Sequence, residues 1–184
     1  MSRKPVNAGW IEVICGSMFS GKTEELLRRI RRAQIAKMHT IVFKSRVDSR
    51  FDKNRIVSHN KLTMKSSIIT KASDIFPLSK KADVIAIDEA QFFDDSLIDV
   101  SKKLADIGKR IIIAGLDKDY LGKPFGPMPK IMCEADYLDK LLAICIICGD
   151  PASYSQRKHS ENGQVVIGAK DKYEARCRSC FNKD

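Results

Sequence analysis

The chain has 184 residues, 43% of them apolar, with 33 Lys and Arg against 23 Asp and Glu and a net charge of +10. That length can bury a core without disulfides, in one α/β domain or one with a small appendage. No apolar run suffices for a membrane helix and the polar start, residues 1–9, lacks a secretory apolar centre, so a cytoplasmic location is expected; the basic balance suits anionic ligands, nucleotide or nucleic acid alike.

The apolar run at residues 10–15 reads as a buried strand. It leads into Gly16-Ser17-Met18-Phe19-Ser20-Gly21-Lys22-Thr23, which fits the phosphate-binding pattern G-x-x-x-x-G-K-[ST]. Glycines let the backbone wrap phosphate oxygens, and free N–H groups at the following helix start bind the anion. Lys22 would reach the β- and γ-phosphates, and the Thr23 hydroxyl would bind Mg²⁺. Residues 22–37 read as that helix, with Leu26, Leu27, Ile30 and Ala33 at helical spacing and Arg28, Arg29, Arg31 and Arg32 on its solvent face. A strand at 40–44, a polar loop at 47–60, a short strand at 66–70 and a short helix at 73–81 follow. Next come an apolar strand at 84–88, a helix at 96–108 with Gly108 as its C-cap, and a strand at 110–114.

This alternation predicts an α/β fold: a mostly parallel sheet flanked by helices on both faces, of the P-loop NTPase type. The Gly- and Pro-rich stretch at 115–130 reads as a loop that could line a ligand site. From Cys145 the helical period disappears, predicting a nucleotide-binding domain over 1–143 and a small metal-bound module over 144–184.

The strand at 84–88 ends on Asp88, the place from which such a strand presents an acid to Mg²⁺. Glu89 points elsewhere. It could accept the proton of an attacking hydroxyl or water, or be a surface acid or a partner of the metal's water. Cys145/Cys148 and Cys177/Cys180 form two C-x-x-C pairs, which together complete a tetrahedral zinc site. Four protein ligands leave no open position, so the zinc would be structural and would hold residues 149–176 in place. A thioredoxin-like redox pair lacks its βαβ context here. His39, His59 and His159 are scattered and read as ordinary polar residues. Cys15 reads as a small buried apolar group; Cys133 has no assignment.

Together these residues resemble the type II thymidine kinases, the small zinc-containing deoxynucleoside kinases. The P-loop with its internal Met18-Phe19, Asp88-Glu89-Ala90-Gln91-Phe92-Phe93, Gly115-Leu116-Asp117, Lys123-Pro124-Phe125-Gly126 and Val166-Ile167-Gly168 with Lys172-Tyr173-Glu174-Ala175-Arg176-Cys177 carry the resemblance, from about residue 10 to 181. Ser17 stands where the family usually has Pro. The resemblance implies transfer of the ATP γ-phosphate to the 5′-hydroxyl of thymidine or deoxyuridine, with Glu89 as base and Mg²⁺ held by Thr23 and Asp88. It places Asp48, Arg50 and Gln91 near the nucleotide with the P-loop. Met18, Phe92, Leu116, Tyr120 and Phe125 would enclose the nucleoside, Tyr120 standing where Phe is commoner, and Tyr173 would approach it. Gln164, Val165, Val166, Ile167 and Gly168 match a lasso loop whose backbone pairs with the thymine edge. A homotetramer and feedback inhibition by dTTP are also implied, with neither nucleic acid nor membrane as partner. A nucleic-acid-stimulated ATPase is the rival reading, from the basic charge, the zinc module and Asp88-Glu89-Ala90-Gln91; a translocating motor would need a second motor domain.

Overall fold

The structure, a computed structural model, describes residues 8–46, 55–57, 63–158 and 172–181. Strands β1 (Trp10–Gly16) and β2 (Thr40–Ser45) flank helix α1 (Lys22–Ile35) in the chain. Then come β3 (Arg55–Val57), β4 (Thr63–Lys65), β5 (Ser67–Ile69), helix α2 (Ile75–Leu78) and β6 (Val84–Asp88). Helix α3 (Ser96–Asp106), β7 (Arg110–Gly115), helix α4 (Met128–Glu134) and β8 (Tyr137–Leu141) complete the main layer. Six of these strands form one parallel sheet in the order β5-β2-β6-β7-β1-β8.

Side chains alternate across the sheet, so each strand feeds two cores. Ile11, Val13 and Cys15 of β1, with Ile85, Ile87, Ile111 and Ile113, pack against Ile75, Leu97, Leu104, Met128 and Ile131 of α2, α3 and α4. Ile14, Val42, Ala86, Ile112 and Ala114 face the other way and pack against Leu26, Leu27, Ile30 and Ala33 of α1. The expected two-sided parallel sheet is present.

Glu12 is the charged member of the α1 side, and it changes the reading of the arginine run. Arg28, Arg31 and Arg32 are exposed. Arg29 instead turns inward, donating to Glu12 at 2.7 Å and Glu25 at 2.8 Å and pairing with Asp139 of β8. Arg110 and the Trp10 indole also donate to Glu12, each at 2.6 Å. Helix α1, strands β1 and β7 and edge strand β8 are thus tied by one charge cluster, which helical spacing alone assigned to solvent.

Three further elements differ from expectation. The polar stretch read as a loop contains β3, which pairs antiparallel with β4. The Gly/Pro-rich stretch ends in α4, since proline is tolerated in a first helical turn, where no N–H partner is lost. Strand β8 lies at the sheet edge with most of its side chains exposed, so it lacks the apolar run that marks β1, β6 and β7. Gly108 closes α3 at φ +87°, with its N–H on the Ala105 carbonyl, as a C-cap glycine does.

Beyond β8, β9 (Ala143–Ile144) pairs with β10 (Pro151–Ala152), and β11 (Tyr154–Arg157) pairs with β12 (Tyr173–Arg176). A small core of Ala143, Cys145, Ala152, Ala175 and Cys177 lies between these hairpin-like pairs.

Candidate active site

The P-loop leaves β1 at Gly16, whose φ of +138° and close approach to the Leu141 carbonyl leave no room for a side chain. It turns at Phe19 (φ +66°), an uncommon conformation for a residue with a Cβ, and enters α1 through Gly21 at φ +84°. Lys22 Nζ donates to the Ser17 carbonyl at 2.7 Å, and Ser20 Oγ to the same oxygen at 2.8 Å.

Strand β7 lies between β1 and β6, yet the three strand ends converge. Burial draws the Lys22 ammonium below the ordinary lysine value, while the carboxylates of Glu89, Asp88 and Asp117 work to raise it. Asp88 is buried at the end of β6 and accepts the Glu89 N–H at 3.0 Å. Glu89 itself is left-handed, at φ 52° and ψ 45°, a conformation uncommon for a residue with a Cβ. The Glu89 carboxylate accepts from Gln91 Nε2 at 2.6 Å, and Gln91 Oε1 accepts the Leu116 N–H at 2.9 Å. Gln91 therefore works as an orienting bridge between the acid and the β7 end. Gly126 passes so close that an added Cβ would lie 2.2 Å from the Gln91 carbonyl oxygen.

Among the residues expected around a nucleoside, Phe92 and Phe125 meet edge to face, their centroids 5.8 Å apart. Tyr120 and Tyr173 are brought together by Arg157. Its guanidinium lies 3.5 Å from the Tyr120 ring centroid, and its Nη2 donates to the Tyr173 hydroxyl at 3.2 Å. Leu116 is partly exposed. Asp119 shapes the intervening loop, accepting the N–H groups of Leu121 and Lys123 on Oδ1 at 2.9 Å each. Asp48, Arg50 and the lasso residues Gln164, Val165, Val166, Ile167 and Gly168 lie outside the described residues.

Two residues were missed by the sequence reading. Arg157 is buried at the end of β11, whose sequence Tyr154-Ser155-Gln156-Arg157 has no apolar alternation to mark it. Asp117 is buried with Oδ2 on Lys140 at 2.6 Å, while its Oδ1 has no hydrogen-bond partner among the described residues. Its signal was an acid two residues past the end of an apolar strand, whereas Asp88 is the last residue of its own. Cys15 behaves as expected: burial first, and then Asp117, push its thiol up to about 11, so it stays neutral and inert.

The four sulfur atoms of Cys145, Cys148, Cys177 and Cys180 lie within 4.8 Å of one another, with Cys148 and Cys177 at 3.6 Å. A tetrahedron with zinc–sulfur bonds of about 2.3 Å has edges of about 3.8 Å, so the set fits zinc. Burial would raise the Cys145 thiol, but backbone N–H groups of Cys177, Cys148 and Ile147 bring it down to about 6. Thiols packed this closely resist ionising together, and a divalent cation among them lets each lose its proton.

Residues 9–181 match the family model for thymidine kinase. The chain is 56% identical over 175 residues, 95% of its own length and 82% of the relative's, to a thymidine kinase of Rhodothermus sp. (strain ITI 518). The chain belongs to the thymidine kinase family. It is therefore an ATP-dependent kinase. No helix among the described residues is long and apolar enough to cross a membrane.

Proposed function

We propose that the protein transfers the γ-phosphate of ATP to the 5′-hydroxyl of thymidine, and of deoxyuridine, giving the 5′-monophosphate for DNA synthesis. The observation that carries this reading is the P-loop lysine lying in the combined field of Asp88 and Glu89, with Glu89 held by Gln91. Glu89 accepts the 5′-hydroxyl proton as that oxygen bonds to the γ-phosphorus. The bond from the γ-phosphorus to the β–γ bridging oxygen breaks, and ADP leaves with the electron pair.

The backbone N–H groups of residues 16–23 cradle the phosphates, and Lys22 leaves the Ser17 carbonyl for the β- and γ-oxygens. Thr23 and Asp88 offer the hard oxygen donors that suit Mg²⁺, which when bound spreads the phosphate charge. Asp48 and Arg50 complete the nucleotide side. Met18, Phe92, Leu116, Tyr120 and Phe125 wall the base, Tyr173 closes on the sugar, and the backbone of residues 164–168 reads the pyrimidine edge. Zinc on the four cysteines is structural.

A cytoplasmic homotetramer inhibited by dTTP completes the proposal. Exposed Tyr137, Leu138, Leu142, Ile144, Ile146 and Ile147, along and beyond the open edge β8, support self-association. Incubation with ATP, Mg²⁺ and single nucleosides tests the activity. Monophosphate from thymidine but not from purine nucleosides is expected. DNA-stimulated phosphate release with no nucleotide product would overturn the reading in favour of an ATPase.

A further inference from the structure

The zinc module touches the phosphate loop directly. Ser17 Oγ donates to the Ala152 carbonyl at 3.0 Å in a fully buried bond. The next residue's amide, Met18 N–H, donates to Ser155 Oγ at 2.9 Å. The third, Phe19, packs its ring on the core of Ala143, Cys145, Ala152, Ala175 and Cys177, beside Cys180. Three consecutive P-loop residues thus rest on the module through three unlike contacts.

The partners sit one short step from the metal ligands. Ala152 of β10 pairs with Ala143, two residues before Cys145. Ser155 of β11 pairs with Ala175, two residues before Cys177. A carbonyl and a hydroxyl that bear on the P-loop are therefore placed by the same cross-strand pairs that place two of the four sulfurs. The loop also needs an outside support. Phe19 is held at φ +66°, where a side chain is strained, and such conformations persist only when surroundings over-determine them. Proline at position 17 would supply no donor for the Ala152 carbonyl, so that tether belongs to this chain's serine.

We infer that the zinc module positions the P-loop, with Ser17 and Ser155 as positioning residues, so that zinc and ATP bind cooperatively. This rests on the proposed ATP site and extends the zinc's part from the nucleoside side to the phosphate side. Coupling of this kind is reciprocal: whatever factor zinc adds to ATP affinity, ATP adds to zinc affinity.

The test uses the full-length zinc-loaded protein, Mg²⁺ and a non-hydrolysable ATP analogue, with no nucleoside present, so that nucleoside binding does not enter the readout. Each neutral hydrogen bond lost is worth a factor of about 2–12, so S17A/S155A should bind the analogue about 10-fold more weakly than wild type. Zinc content should stay near wild type while the melting temperature falls by about 3–8 °C, the cost of two neutral hydrogen bonds in a chain of this size, and S155T, which keeps the hydroxyl, should restore most of the Ser155 share. In a second readout, a chromogenic chelator competes for zinc at equilibrium. The analogue should tighten the apparent zinc affinity of the wild type about 10-fold and that of S17A/S155A far less. Equal analogue affinity in wild type and double variant, or a zinc affinity indifferent to the analogue in the wild type, would overturn the coupling alone. Should S17A/S155A fold poorly, the wild-type zinc-affinity readout still decides. A wild type that binds no ATP analogue would remove both the coupling and the ATP site on which it rests.

Discussion

Glu12→Gln should expose how strongly the charge cluster under α1 holds the P-loop helix. The Glu12 carboxylate is 8% exposed and accepts from Arg29 and Arg110 as well as the Trp10 indole. Glutamine keeps the volume but turns an amide N–H₂ toward arginine donors and removes the negative charge between two guanidinium groups. Breaking a buried pair on one side costs about 3–5 kcal/mol. Arg29 retains Glu25 and Asp139, so about 2–4 kcal/mol is expected here, a fall in melting temperature of about 5–12 °C for a chain of this size.

The pH dependence follows. Burial would raise the Glu12 carboxyl, but the bonds from Arg110, Trp10 and Arg29 prevail and hold it below its ordinary 4.5. A carboxyl with a depressed folded pKa contributes fully above its unfolded value and loses that contribution as pH falls through the folded one. Wild type and E12Q should therefore differ by the full amount at pH 7, and the gap should narrow as pH falls below about 4.5. Calorimetry at fixed protein concentration from pH 3 to 8 measures this. A melting difference under about 1 °C at pH 7, or a gap as wide at pH 3 as at pH 7, would refute the reasoning.

Three further outcomes are expected. Glu89→Gln should lower kcat by about 10²–10⁴-fold while ATP-analogue affinity changes less than about twofold, since only the proton acceptor is lost; near-normal turnover would count against Glu89 as base. Cys177→Ser should lower zinc content, read by metal analysis, and weaken thymidine binding; full zinc with normal affinity would sink the tethering role. Gly126→Ala places a Cβ 2.2 Å from the Gln91 carbonyl at φ +52°. It should cost about 2–4 kcal/mol through left-handed strain and overpacking, and lower kcat by shifting Gln91 off Glu89. Wild-type stability and kcat in that variant would contradict the bridge.

Much of the molecule was legible because the buried parallel strands write themselves as apolar runs. The alternation at 84–88, 96–108 and 110–114 gave β6, α3 and β7 within a residue or two, and the spacing of Leu26, Leu27, Ile30 and Ala33 gave the buried face of α1. The P-loop and cysteine pairs were legible because their chemistry dictates residue types at fixed spacing. Strand β8 was not, because an exposed edge strand needs no apolar alternation. Arg29 was misplaced because helical spacing reports which residues face a core, not which charges meet a buried Glu12 on a neighbouring strand. The Gln91 bridge and the Ser17 and Ser155 tethers depend on long-range approach, to Leu116, Ala152 and Met18, that no local pattern encodes.

The most direct test of the central claim follows the γ-phosphate itself. ATP labelled at the γ-position is offered with Mg²⁺ and, separately, thymidine, 3′-deoxythymidine or 5′-deoxythymidine. The account predicts label on thymidine and on 3′-deoxythymidine, none on 5′-deoxythymidine, and little free phosphate in any of the three. Label that reaches 5′-deoxythymidine, or that appears only as free phosphate, would contradict transfer to the 5′-hydroxyl at this site.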